Sequence, residues 1–260
     1  RGDVNDRPKL WTLLQDVQCV YHLAARVSVA ESILYPREYT TANVGGTVSV
    51  MEAMRDVGVR RVVLVSSGAV YGENNIQPLH ESLPPDPASP YAVSKLAAEY
   101  YVRTIGKLWG IETVALRVFN AYGPHQSLPA AHAPVIPRFI KNALSGASLV
   151  TYGSGEQTRD YVYVSDAVNA MVAAATANGV DRQVINVGSG IETSVRDLIA
   201  TISEVIQKPV EAIYNSAERG GVSRMQADLS RAKALLDYEP RLTLAEGLRR
   251  TVENDPRFKN

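Results

Sequence analysis

Three residues in this sequence have the types and spacing of a proton relay. Tyr91 and Lys95 stand four apart, so on a helix they share a face. A free phenol, with a pKa near 10, is a poor base at neutral pH, but a neighbouring ammonium stabilises the phenolate and lowers that value. Ser67 lies ahead of them at the end of an apolar run, where its hydroxyl can bond both a substrate hydroxyl and the Tyr91 oxygen. The three together can take a proton from an alcohol. Tyr-x-x-x-Lys alone also suits a plain surface helix, and it is the serine strand and the following loop that favour chemistry.

The elements that must hold these residues show in the hydrophobic pattern. Apolar runs of strand length alternate with longer helix-period segments, as in strand-helix-strand units around a parallel sheet buried on both faces. The pattern predicts strands over residues 17–23, 61–66 and 112–119. Helices are predicted over 37–57, ended by Gly58, and over 91–109, with a polar, proline-rich loop at 72–90 before the second. After Gly123-Pro124 the elements shorten: a helix over 137–144, a strand over 149–152, a helix over 166–176, a strand over 184–187, then helices over 195–206 and 244–254. This predicts an α/β fold with a doubly wound parallel sheet in residues 1–122, to which 180–195 return, and a smaller lobe in 123–260. Ligands of open α/β sheets lie beyond the carboxyl ends of the strands, so the residues after Leu23, Val65 and Val118 are expected to line one crevice.

Composition narrows the class. The 260 residues carry 27 Lys+Arg against 27 Asp+Glu, which leaves no basic excess for nucleic acid or an anionic membrane surface. The longest apolar stretches, 62–65 and 170–175, fall short of the roughly 20 residues of a membrane-spanning helix. Cys19 is the only cysteine, so neither an intrachain disulfide nor a cysteine zinc site can form, and a reducing compartment, the cytoplasm, is expected. The histidines, His22, His80, His125 and His132, do not cluster, so no metal is expected. The opening Arg1-Gly2-Asp3 is polar and does not begin with Met; a signal peptide is not expected, and the chain is expected to start inside a longer protein.

Several ordered segments share one resemblance: Gly2-Asp3-Val4, His22-Leu23-Ala24-Ala25, Asn43-Val44-Gly45-Gly46-Thr47, Ser66 to Gly72, Tyr91 to Lys95, Arg117 to Pro124, and Gly153 to Val164. With them the chain resembles the extended short-chain dehydrogenases/reductases of the nucleotide-sugar epimerase and dehydratase group, and within it the UDP-hexose 4-epimerases. The resemblance implies a Rossmann-like fold with a C-terminal α/β substrate lobe, NAD as cofactor, a UDP-sugar as substrate and a homodimer. It makes Tyr91 the base, Lys95 the group that tunes it and holds the nicotinamide ribose, and Ser67 the partner of the substrate hydroxyl. Asp3 and Val4 would lie by the adenine. Leu23, Ala24 and Ala25 would let the cofactor approach the strand end, Asn43 and Ser66 would belong to the cofactor region, and Phe119 would pack near the nicotinamide. Leu23 to Ala25 also make a plain strand end, and Asn43 equally suits a role satisfying backbone groups inside a helix.

On the substrate side the resemblance gives the diphosphate to Asn120 and Arg159, whose guanidinium fork suits it, although Arg159 could instead pair with Asp160. Val135 would flank the nucleotide or sugar, and Met225 would lie near the position that limits sugar size. Arg219 would touch diphosphate and ribose, in a segment, Glu218 to Val222, that lacks the acidic residue usual there. The implied dimer uses helices near 37–57 and 91–107, with Val48, Val50, Met51 and Met54 either at the interface or packed on their own sheet. Two departures bear on function. The Gly-x-x-Gly-x-x-Gly turn that seats the pyrophosphate on a helix N-terminus is not in the sequence, and neither Gly45-Gly46, inside a helix, nor Gly153-Ser154-Gly155, after the wrong strand, replaces it. Where the resembling dehydratases carry acidic side chains stand Gly68 and Ala69. The expected activity is therefore NAD-dependent inversion at C4 of a UDP-hexose. UDP-glucuronate 4-epimerisation or decarboxylation, or another NAD-dependent modification of a nucleotide sugar, is the alternative, and a non-catalytic nucleotide-binding fragment a further one.

Overall fold

The computed structural model describes residues 2–215 and 221–259. Helix α1 (Arg7–Leu13), capped by Asp6, leads into strand β1 (Cys19–His22). Helices α2 (Val29–Leu34) and α3 (Pro36–Tyr39) follow, then a π-helical turn (Thr40–Gly45) running into α4 (Gly46–Val57). Gly58 ends α4 with φ of 82°, the left-handed conformation glycine adopts most readily. Strand β2 (Arg61–Ser67) passes through a 3₁₀ turn (Gly68–Tyr71) and the proline-rich loop to α5 (Pro90–Trp109). Strands β3 (Glu112–Val118) and β4 (Asn120–Tyr122) come next. The rest of the chain holds α6 (Val135–Leu144), β5 (Leu149–Tyr152), β6 (Thr158–Arg159), β7 (Tyr161–Tyr163), α7 (Val164–Thr176), β8 (Gln183–Val187), β9 (Thr193–Ser194), α8 (Val195–Ile206), β10 (Ala212–Asn215), α9 (Ser230–Leu236) and α10 (Leu244–Asn254).

The main sheet is parallel in the order β1-β2-β3-β8, so the strand at 183–187 does return to it. Successive side chains on a strand point to opposite faces, and both faces are apolar. Val63, Leu116 and Ile185 pack under α7 and α9, whereas Val62, Leu64 and Ala115 pack under α4 and α5. A second core unites α6, α8 and α10 with β5 and β7 around Phe139, Leu149, Leu198 and Leu248. Val50, Met51 and Met54 lie inside the α4–α5 core, so of their two expected positions it is their own sheet that they occupy. Among the described residues no helix is long and apolar enough to cross a membrane, and no group of His, Cys, Asp or Glu side chains could hold a metal ion.

Candidate active site

Tyr91 and Lys95 reach the strand ends because of how α5 begins. Ser89 accepts from the Ala92 amide at 3.2 Å and Pro90 takes the first helical position, where its missing N–H costs nothing. Tyr91 and Lys95 then fall on the inward face, 9 % and 5 % exposed. Lys95 Nζ donates to the Val65 carbonyl. Ser67, the last residue of β2, accepts from the Ala69 amide at 3.1 Å, which turns the chain away and leaves its hydroxyl near enough to the Tyr91 phenol to favour the phenolate. The structure thus brings Ser67, Tyr91 and Lys95 together.

Electrostatics at this site differ in one respect from expectation. Burial pushes the Tyr91 phenol above its usual range, and the opposing Ser67 hydroxyl does not offset it. Burial also pulls the Lys95 ammonium down to about 8, against the attraction of Glu99. Both shifts have one origin: a water-poor site disfavours either charged form. The Tyr39 ring meets Tyr91 edge-on at 6.4 Å, and Tyr39 OH donates to Glu31 at 2.9 Å.

Around these three residues lie groups that the sequence pattern left unmarked. His22 Nε2 is 2.9 Å from Thr47 Oγ1, and that hydroxyl donates to the Asn43 carbonyl at 2.5 Å. Asn43 is buried, as a residue serving backbone groups must be: its Oδ1 accepts from the Arg26 amide at 2.7 Å, and its Nδ2 donates to the Arg26 carbonyl and to Ser94 Oγ. It ties the loop after β1 to α5. Ser66 faces away from the crevice and donates to Glu99 Oε1 at 2.5 Å, while Arg117 bonds both oxygens of Glu99, at 3.0 and 2.9 Å. The signals were an arginine in an otherwise apolar strand and a glutamate on the buried face of a helix.

The remaining candidates divide by position. Phe119, after β3, covers Gly68 so closely that a Cβ there would meet the ring at 3.1 Å; Met225 packs in the same cluster with Val70 and Tyr71. Leu23 and Ala24 are exposed at the end of β1, and Ala25 is half-buried. Asn120 and Arg159 lie on neighbouring stretches of chain, since the Asn120 backbone amide donates to the Asp160 carbonyl at 3.0 Å and β4 pairs with β7. Arg159 is not paired with the Asp160 side chain. Its Nη1 donates to the Thr158 and Val222 carbonyls at 2.7 Å each, and Asp160 accepts from Ser189, Gly190 and Ala227. Val135 opens α6 and leans on the second core. Asp3 accepts from Asn5, and Val4 packs on Gly46 at the start of α4. Arg219 lies outside the described residues.

Residues 1–188 match the NAD dependent epimerase/dehydratase family. A UDP-glucose 4-epimerase of Mycolicibacterium smegmatis is 40 % identical over 237 residues, covering 91 % of this chain and 75 % of the relative. Among solved structures, the UDP-glucose 4-epimerase of Thermotoga maritima with UDP-glucose superposes with a TM-score of 0.92 at 33 % identity, covering 97 % of this chain and 82 % of that one. The UDP-glucuronic acid 4-epimerase of Bacillus cereus, in complex with UDP-glucuronic acid and NAD, superposes with a TM-score of 0.88 at 33 % identity, covering 96 % and 79 %. The residues present fit the nicotinamide end of such a cofactor. Ala24 and Ala25 follow close after β1, the Gly68 turn leaves no Cβ against Phe119, and Lys95 spends one of its three N–H groups on Val65.

Proposed function

The chain belongs to the NAD dependent epimerase/dehydratase family, and from that premise we propose that it inverts C4 of a UDP-hexose of the UDP-glucose/UDP-galactose type with Tyr91 as the base. The observation that carries this reading is the meeting of Ser67, Tyr91 and Lys95 at the ends of the parallel strands. NAD is the family's cofactor, and when bound it supplies the one function these side chains lack, a two-electron acceptor that takes the C4 hydride and gives it back. Lys95 and Tyr91 would hold its nicotinamide ribose, with Phe119 and residues 23–25 about the ring and Asp3 and Val4 toward the adenine.

Tyr91 removes the proton of the 4-hydroxyl beside Ser67, and the sugar becomes a 4-ketone. Charged Lys95 favours the phenolate that does this. Asn120 and Arg159 hold the diphosphate, with Val135 alongside, so that the ring can turn its other face while its handle stays fixed. Tyr91 then returns the proton, and the alcohol is regenerated with inverted configuration. Elimination at C5 and C6 needs a further acid and base, and Gly68 and Ala69 offer none. The proposal places the cofactor on residues 1–122 with 180–195, the nucleotide sugar on 123–260, and a homodimer in the cytoplasm.

The test is incubation with NAD+ and UDP-galactose followed by separation of the UDP-sugars. UDP-glucose is expected to appear with no net NADH, and Tyr91→Phe to abolish turnover while nucleotide binding survives. Turnover of the variant near that of the wild type would remove Tyr91 from its role. Failure of the wild type on UDP-galactose, with conversion of UDP-glucuronate or an N-acetylated UDP-sugar instead, would replace the hexose by that substrate.

A further inference from the structure

One row of the main sheet is polar where its neighbours are apolar. Ser66, Arg117 and Asn186 are in register on β2, β3 and β8, and all three project toward the α5 side, on the same face as Val62, Leu64 and Ala115. Glu99, one turn beyond Lys95 on α5, drops into this row and is 1 % exposed. Its carboxylate accepts from Ser66 Oγ, Arg117 Nε and Arg117 Nη2. The guanidinium lies 4.7 Å from the Tyr71 ring, and Tyr71 OH donates to Asn186 Oδ1 at 2.8 Å. Burial opposes the charge on Arg117, yet its bonds to Glu99 hold it above the usual guanidinium range. A buried pair of this kind is weak as a source of stability, because desolvation offsets most of the attraction. Its place next to Lys95 suggests another use.

Resting on the function proposed above, we propose that Glu99 is a positioning residue: locked by Arg117 and Ser66, its carboxylate keeps Lys95 in the protonated form on which the Tyr91 relay depends. Two adjacent residues of β2 hold two residues four apart on α5, Val65 taking Lys95 and Ser66 taking Glu99. The amine and the carboxylate therefore sit at fixed places along one strand edge. The titratable groups that act with Lys95 are Glu99 on α5 and His22 on β1, which burial and Lys95 itself keep neutral with a pKa near 4. Tyr91 shares its helix face, with Tyr39 of α3 against the Tyr91 ring, while Arg117 of β3 lies between Glu99 and the Tyr71 ring of the 3₁₀ turn. Of these, Glu99 is the one that favours the ammonium, and even with its attraction burial leaves Lys95 at about 8.

The experiment follows Lys95 directly, by ¹³Cε-lysine NMR titration of the full chain, beside the pH profile of kcat. In Glu99→Gln the Lys95 midpoint is expected to fall by about one pH unit, a tenfold loss of the charged form at a given pH above it. The alkaline limb of kcat should move down with it, while KM for the UDP-sugar changes less than about twofold. Glu99→Asp should restore part of the shift, and Ser66→Ala should leave the midpoint in place, since it removes a hydrogen bond and no charge. Where a lone buried guanidinium prevents folding, Glu99→Gln with Arg117→Gln removes both charges and the same direction is expected. An unmoved Lys95 midpoint, with kcat lowered equally at every pH, would overturn the proposal and leave Glu99 a merely structural partner. A moved midpoint in a chain that epimerises no UDP-sugar would support the electrostatic role and count against the activity alone.

Discussion

At the scale of single residues, His22 shows how burial becomes a pH dependence. Thr47 gives its only proton to the Asn43 carbonyl, so in the bond between them His22 must donate from Nε2. Burial and the charge of Lys95 hold its pKa at about 4, against 6.5 for a free imidazole. Between those values the unfolded chain binds a proton that the folded chain refuses. Stability is therefore complete above pH 6.5 and falls as pH drops through the window, by about 2 kcal/mol from pH 7 to pH 5 for this group. Urea midpoints at the two pH values should show the wild type losing about that much more than His22→Gln, which cannot titrate; equal losses would exclude the buried neutral imidazole. The relay itself was legible in the sequence because Tyr-x-x-x-Lys is a local spacing that a helix converts directly into a shared face. Glu99 and Arg117 were not, because they meet only once β2 and β3 take their register, which no local spacing records.

Among the elements, α5 carries most of the site, and its distance from the sheet is set at Gly106. A Cβ built there would stand 2.3 Å from Thr113 Cγ2 and 2.7 Å from the Ile111 carbonyl, so the helix rests almost directly on the start of β3. Alanine is worth up to about 1 kcal/mol more than glycine in a helix, whereas overpacking costs about 1–3 kcal/mol. Because one of the two clashes is with backbone, which cannot swing aside, overpacking should win. Gly106→Ala is expected to lose about 1–2 kcal/mol in chemical denaturation and to lower kcat, since lifting α5 moves Tyr91 and Lys95; a variant more stable than wild type would contradict this. The long elements read well from the sequence: β2, β3, α5, α8 and α10 fall within a residue or two of the predicted ranges. The short helices α1, α2 and α9 went unread because fewer than two full turns carry little period. The π-helical turn is the informative miss. Residues 37–57 have helical periodicity, but between α3 and α4 the i to i+5 spacing of a π turn carries Asn43 to where it bonds both the Arg26 backbone and Ser94.

For the whole molecule, the unresolved balance is at the surface of α5 rather than beneath it. Tyr91, Lys95, Ala98, Glu99 and Val102 are buried on one side. On the other, Val93, Tyr100, Tyr101 and Leu108 are exposed, Leu108 at 73 %. Their spacing of seven, eight and fifteen residues makes a stripe along a single face, roughly 22 Å long at 1.5 Å per residue. Helix α2 packs beside α5 and adds exposed Val29, Ile33 and Leu34. Apolar surface continued over two neighbouring helices marks an interaction site, and a second copy is the occupant that a twofold arrangement supplies without further invention, since each stripe then meets its own image. The proposed homodimer therefore rests on α5 and α2, not on the buried valine and methionines of α4. Sedimentation at micromolar concentration should give about twice the chain mass of 28.3 kDa. Tyr100→Glu with Leu108→Glu should give single chains, because two carboxylates would be placed in an apolar seam, while the α4–α5 core under the sheet stays intact. A wild type that sediments as a single chain at that concentration would refute the dimer and leave this stripe as surface in need of a different partner.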